Sequence, residues 1–156
     1  MQKKVVVVSD SHGNAAVLKS IIAREVPFDV LIHCGDGVDD LARIDLPPDV
    51  GLIAVAGNMD SGQQFVTSRI AFHTLNEKKI MVTHGDRFRV AHDQELLLYE
   101  AKKNGADLAF FGHTHAKYHS TGSPILFNPG PANRGVYGVV RINDIIACRH
   151  KKLDRR

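Results

Sequence analysis

Seven residues stand out for what their side chains could do together: Asp10, His12, Asp36, Asn58, His84, His113 and His115. They comprise two carboxylates, one amide and four imidazoles, and they fall where short apolar runs end. Val5 to Val8 leads into Ser9-Asp10-Ser11-His12, Val30 to Ile32 into His33-Cys34-Gly35-Asp36, and Leu52 to Val55 into Ala56-Gly57-Asn58. Ile80 to Val82 leads into Thr83-His84-Gly85, and Leu108 to Phe111 into Gly112-His113-Thr114-His115. Mixed oxygen and nitrogen donors without thiolate suit manganese, iron, cobalt, nickel or zinc and disfavour a calcium cage. Seven ligands exceed what one ion needs, because a zinc site takes three or four from the protein. The inventory fits two ions that share a carboxylate and keep room for water.

Taken singly, each motif has a plainer explanation. Asp10 and Ser11 could cap a helix beginning near Gly13, Gly57-Asn58 could be a turn, and His84 could be a hydrogen-bonded core histidine. The ordered set is more specific, since independent turns have no reason to choose a ligand residue every time. Gly112-His113-Thr114-His115 is its most specific member.

For these side chains to meet, five distant loops must converge. Open α/β sheets bind ligands beyond the carboxyl ends of their strands, and the five apolar runs have the length and β-branched content of buried inner strands. Between the first two, Ala15 to Glu25 carries Ala15, Leu18, Ile21 and Ile22 at helical spacing and is closed by Pro27, which predicts a βαβ opening. A second helix is predicted from about Asp93 to Asn104, with Leu96, Leu97 and Ala101 on one side and Gly105 as its stop. Gly35, Gly57, Gly85 and Gly112 would let the backbone turn or approach closely beside the ligands. Beyond Phe111 the texture becomes β-rich, with Ile125 to Phe127, Val136 to Ile142 and a hairpin through Asn143 and Asp144 to Ile145 to Ala147.

With 156 residues and 44% hydrophobic content, the chain supports one core, so a single domain over 1–156 is expected. Its apolar runs are far shorter than a bilayer requires, and neither a membrane span nor a signal peptide is expected. Cys34 and Cys148 form no disulfide framework, which points to a reducing cytoplasm. The pI near 9.0 is concentrated at the end: residues 149–156 hold five of the 20 Lys and Arg but one of the 17 Asp and Glu. The rest is near neutral, so a nucleic-acid partner is not expected, and the basic tail reads as a solvated end.

The ordered motifs Asp10/His12, Gly35-Asp36, Gly57-Asn58, His84 and His113/His115 resemble those of calcineurin-like metallophosphoesterases, specifically the small YfcE-type phosphodiesterase branch. Asn128-Pro129-Gly130 is similar to that branch's late loop. The resemblance implies two facing mixed β-sheets flanked by helices, an α/β fold in four layers. It implies two divalent ions, manganese foremost, with nickel, iron, cobalt or zinc as alternatives. Asp10, His12, Asp36 and His115 would hold one, and Asp36, Asn58, His84 and His113 the other, with Asp36 as the bridge. A small phosphate ester would be attacked by a bridging hydroxide. Asp36, Asn58 and His84 are the expected catalytic centre, and Asn14 could touch a phosphoryl oxygen, unless it merely starts the helix.

One position departs from many members. Where histidine often follows Gly-Asn, this chain has Met59, whose thioether cannot donate a proton. His33 is the nearest alternative acid in sequence, although a hydrogen-bonded structural histidine is its better reading. The main rival from another class is a non-catalytic scaffold of the same fold, like a retromer subunit. Apolar residues around Phe65, Ile70 and Phe72 would be its contact surface, or equally an edge strand or a homodimer interface; relatives of the branch are often dimers.

Overall fold

The computed structural model describes residues 1–60, 66 and 68–154; Phe65 of the apolar segment and Arg155 and Arg156 of the tail lie outside the described residues. The described residues form ten strands: β1 (Lys3–Val8), β2 (Val30–His33), β3 (Gly51–Ala54), β4 (Ile70–Leu75), β5 (Lys78–Thr83), β6 (Leu108–Phe110), β7 (Tyr118–His119), β8 (Ile125–Asn128), β9 (Val136–Ile142) and β10 (Ile146–Lys152). Helices α1 (Ala15–Glu25) and α2 (Glu95–Lys103) complete the frame.

Two mixed five-stranded sheets face each other, ordered β10-β9-β1-β2-β3 and β4-β5-β6-β8-β7. In the first, β1, β2 and β3 are parallel and β9 and β10 antiparallel; in the second, β5, β6 and β8 are parallel, flanked by antiparallel β4 and β7. Alternation along the strands explains the layers. In β1, Val5 and Val7 enter the core between the sheets with Ile32, Val82, Phe110 and Phe127, whereas Val6 and Val8 point outward to Leu18, Ile21 and Ile22 of α1. Met81 and Ala109 of the second sheet, with Phe111 just after β6, likewise meet Leu97 and Ala101 of α2. Both faces of each central strand are therefore covered, which is why these segments read as continuous apolar runs.

The predicted α1 matches its observed bounds. Its cap is Asn14, whose Oδ1 accepts the N–H of Val17 at 3.1 Å. Three expectations change. Leu96, expected on the same side of α2 as Leu97 and Ala101, is exposed. β3 closes an edge of its sheet and is not an inner strand; Leu52 is accordingly exposed. The basic tail is not simply solvated, because Arg149 to Lys152 continue β10, paired residue for residue with β9 from Ile146↔Ile142 to Lys152↔Val136. Cys34 packs in the intersheet core as a small filler.

Candidate metal centre

The carboxyl ends of β1, β2, β3, β5 and β6 open onto one edge of the sandwich, and their loops are stitched together by backbone. The N–H of Asp10 donates to the carbonyl of Gly35 at 2.9 Å, that of His12 to Asp36 at 3.1 Å, and that of Gly112 to His84 at 2.9 Å. Close approach explains two glycines. A Cβ on Gly57 would collide with the Asp36 carboxylate, and one on Gly112 with Ser9 and Asp10.

The seven ligand candidates converge as two groups. Asp10, His12 and His115 form one trio, and Asp36, His84 and His113 the other, with donor atoms within 4.8 Å of one another in each. Asn58 joins the second, its Oδ1 lying 3.2 Å from His113 Nδ1. In the first, His115 Nε2 is 3.3 Å and His12 Nε2 3.5 Å from Asp10 Oδ1. The main-chain N–H of His113 donates to Asp10 Oδ2 at 3.2 Å and couples the trios. Asp36 enters this grouping through the second trio.

Backbone conformation marks the same residues. Asp10, His12, Asp36, His113 and His115 have φ of 57°, 46°, 59°, 69° and 59°. Left-handed backbone is uncommon outside glycine and costs on the order of 1–3 kcal/mol per strained residue, so the surrounding fold must impose it.

The donor atoms suit a cation. Among the described residues, Asp10 Oδ1 and His84 Nε2 are buried side-chain atoms without a hydrogen-bond partner. An orphaned buried acceptor ordinarily costs about 1–3 kcal/mol. His84 Nε2 lies 3.1 Å from Asp36 Oδ2, an ion-pair distance when the ring is protonated. The carbonyl of Cys34 can only accept, so His84 donates from Nδ1 to it at 2.9 Å, which turns Nε2 inward as a lone-pair donor. Burial alone would raise the Asp36 carboxyl, but His84 and the Met59 N–H, donating to Oδ1 at 2.8 Å, hold it below its ordinary value. Burial would lower His84, and Asp36, Asp10 and the Cys34 carbonyl reverse that effect.

Several bracing residues escape the sequence analysis. The Asp60 carboxylate accepts the N–H groups of Asp36, Gly37, Val38 and Gly57 at 2.7 to 3.3 Å, binding two ligand loops to each other. Asp60 follows Gly57 by three residues, which signals a local turn but not the bonds to residues 36–38. Asn128 donates through Nδ2 to the Gly112 carbonyl and to Thr114 Oγ1 and fixes the His113/His115 loop. Ser9 donates to Asp10 Oδ2 at 2.7 Å.

His33 is also a brace. Its Nδ1 accepts the Gly35 N–H at 3.0 Å, so the proton sits on Nε2, 3.0 Å from Ser11 Oγ, and Ser11 in turn donates to Asp40 at 2.7 Å. Burial, only partly opposed by Asp60 and Asp40, pushes the imidazole down to about 4, and full enclosure removes it as a proton donor to substrate. Asn14 faces solvent beside the site with its oxygen engaged in capping. Met59 is 68% exposed at the rim.

This four-layer fold, with clustered carboxylates, amide and imidazoles at one sheet edge, defines a metal-dependent phosphoesterase architecture. A calcineurin-like phosphoesterase superfamily domain matches residues 4–143, and the chain belongs to that family. It is 34% identical over 128 residues to a probable metallophosphoesterase, YsnB, from Bacillus subtilis, covering 81% of this chain and 73% of YsnB. Among solved structures, a conserved uncharacterized protein from Streptococcus pneumoniae TIGR4, described as a predicted phosphoesterase, superposes with a TM-score of 0.80 at 25% identity, covering 97% of this chain and 90% of that one. A mutant form of Vps29 from Entamoeba histolytica superposes with a TM-score of 0.75 at 18% identity over 97% and 99%, a likeness of fold alone. The family implies divalent metal ions, and the two ligand trios fit them. Among the described residues, no helix is long and apolar enough to cross a membrane.

Proposed function

We propose that the protein hydrolyses small phosphate esters, diesters foremost, at two divalent ions, manganese first among them. The observation that carries this is the pair of adjoining trios whose buried Asp10 Oδ1 and His84 Nε2 lack hydrogen-bond partners among the described residues. Asp10, His12 and His115 would hold one ion and Asn58, His84 and His113 the other, with Asp36 spanning both. Bound there, the ions would supply positive charge for phosphoryl oxygens and a hydroxide nucleophile at neutral pH.

The chain's own contributions follow from geometry. Asp36 and Asp10 return two negative charges, which leaves a weakly cationic centre suited to a singly charged diester. The Cys34 carbonyl holds His84 in the tautomer that presents Nε2 inward. Asn14, whose capping occupies its oxygen, keeps its amide N–H groups for a phosphoryl oxygen. Met59, exposed at the rim, carries a thioether that cannot protonate a leaving group. All seven ligand positions are filled, including buried His84, which is what a non-catalytic scaffold would not require.

The test is metal-stripped protein reloaded with single ions and assayed on bis(p-nitrophenyl) phosphate and p-nitrophenyl phosphate, with Asp36→Ala and His84→Ala alongside. Two bound ions per chain, diester turnover and its loss in both variants are expected. Stripped protein that takes up no ion, or variants as active as wild type, would end the proposal.

A further inference from the structure

A recess of about 580 Å³ opens beside the ligand His115, and Lys117, Arg134, Lys151 and Lys152 line it together with Pro131, Val136 and His150. Three elements bring these residues together. Lys117 follows the His113/His115 loop. Arg134 ends a 3-10 turn (Ala132–Arg134) whose N–H groups, from Ala132 and Asn133, donate to the carbonyls of Ser9 and Asp10 at 2.8 and 3.2 Å. Lys151 and Lys152 end β10, which is paired with β9 beside that turn. The cationic wall is thus tied by backbone to the loop that carries Asp10.

Its cations are not equivalent. Lys151 is committed to buried Glu25, Nζ to Oε2 at 2.8 Å. His150, which also lines the recess, bonds through Nε2 to the Asn128 carbonyl and stacks on Phe127 with centroids 4.4 Å apart, so it is part of the wall. Lys117, Arg134 and Lys152 have no carboxylate in ion-pair range among the described residues, and all three are exposed. Three uncompensated cations in one concavity form an anion site, and guanidinium and ammonium groups both suit phosphate oxygens. The volume lies within the range of small-ligand pockets.

We propose that this recess binds a second phosphate group of the substrate, so that the preferred esters carry one phosphate at the metal centre and another against Lys117, Arg134 and Lys152. This rests on the phosphoesterase reading and narrows it from small esters in general to bisphosphorylated ones.

The experiment compares two chromogenic diesters that share a leaving group: the p-nitrophenyl ester of thymidine 5′-phosphate, and the same ester carrying a 3′-phosphate. With metal-loaded wild type, the 3′-phosphorylated ester should show a kcat/KM higher by about tenfold, expressed in KM, and the preference should fade in about 0.5 M salt because surface charge is screened within a few ångströms there. In the Lys117→Glu/Lys152→Glu variant, checked for folding by its melting curve, the preference ratio should fall to about one or below. Equal kcat/KM for the two esters in wild type, or a preference untouched by the double substitution, overturns the proposal. If neither ester is cleaved, the phosphoesterase reading fails separately. The recess is then judged by calorimetry on metal-stripped protein: tighter binding of thymidine 3′,5′-bisphosphate than of thymidine 5′-phosphate, abolished in the double variant, supports it, and equal binding refutes it.

Discussion

Two buried carboxylates, each 2% exposed, have opposite fates in this molecule. Glu25, the last residue of α1, is fully engaged: it accepts from the Tyr137 hydroxyl and from Lys151 Nζ, and Lys4 Nζ lies 3.3 Å from its other oxygen. Asp36 sits in a cluster where, among the described residues, Asp10 Oδ1 and His84 Nε2 have no hydrogen-bond partner and where the backbone itself is left-handed. Burial is common to both, so burial does not mark function. What separates them is valence: one cluster is closed by protein groups, and the other is held open by braces that point unused donor atoms at a common space. A closed buried ion pair is destabilising to break, whereas an open one is a candidate for a ligand.

The strongest way to break this contrast is to remove each carboxylate in turn. Asp36→Ala should lower kcat on an aryl diester by more than about 10³-fold while leaving unfolding free energy within about 1 kcal/mol. Glu25→Ala should do the reverse. Its loss strands two lysines and a tyrosine and should cost about 2 kcal/mol, a buried-pair value reduced for the exposure of the lysines, with kcat within about twofold. Denaturant titrations beside kinetics on the same samples decide it; an inactive but fully stable Glu25→Ala would erase the distinction.

Met59 at the rim of the open cluster carries a thioether that cannot donate a proton, which gives the next effect in size. Diesters with aryl leaving groups should turn over far faster than those with alkoxide leaving groups, because general acid help is worth about 10²- to 10⁴-fold. Met59→His should then raise the alkyl rate by about 10²-fold and leave the aryl rate nearly unchanged. A flat dependence of wild-type rate on leaving-group pKa would mean that another group supplies the proton.

If braces rather than the ligands alone keep the cluster open, Asp60→Ala should weaken metal binding by about tenfold, the lower end of the range for groups that orient ligands. Calorimetric metal titration reads this directly, and excess metal should restore most of the turnover. Unchanged affinity would assign Asp60 to loop stability alone.

The asymmetry between ligands and braces also explains what the sequence discloses. Ligand types at strand ends are local text, and the Leu18, Ile21, Ile22 spacing defines α1 to its last residue. Asp60 reaching residues 36–38 and Asn128 reaching Gly112 are side-chain-to-backbone bonds between segments 16 to 24 residues apart, and no periodicity encodes them. The β10 strand is hidden for another reason. Half-buried Ile146, Cys148 and His150 alternate with exposed Ala147 and Arg149, but the run of basic residues makes the segment look like a solvated tail. Edge strands carry charge as protection against pairing with other chains, and that protection obscures their pattern.

The smallest effect tests the closed cluster by pH. Burial would raise the Glu25 carboxyl, but Lys151, Tyr137 and Lys4 together hold it below its ordinary value of 4.5. A carboxyl depressed in the folded state binds protons more weakly there than in the unfolded chain. Its stabilisation is therefore present in full above the ordinary value and is lost as the pH falls through the lower, folded one. Wild type should exceed Glu25→Gln in unfolding free energy at neutral pH, and the gap should narrow as the pH drops below 4.5. A gap that stays constant, or widens, in acid would show that the Glu25 cluster is held by shape and hydrogen bonding without a contribution from its charge.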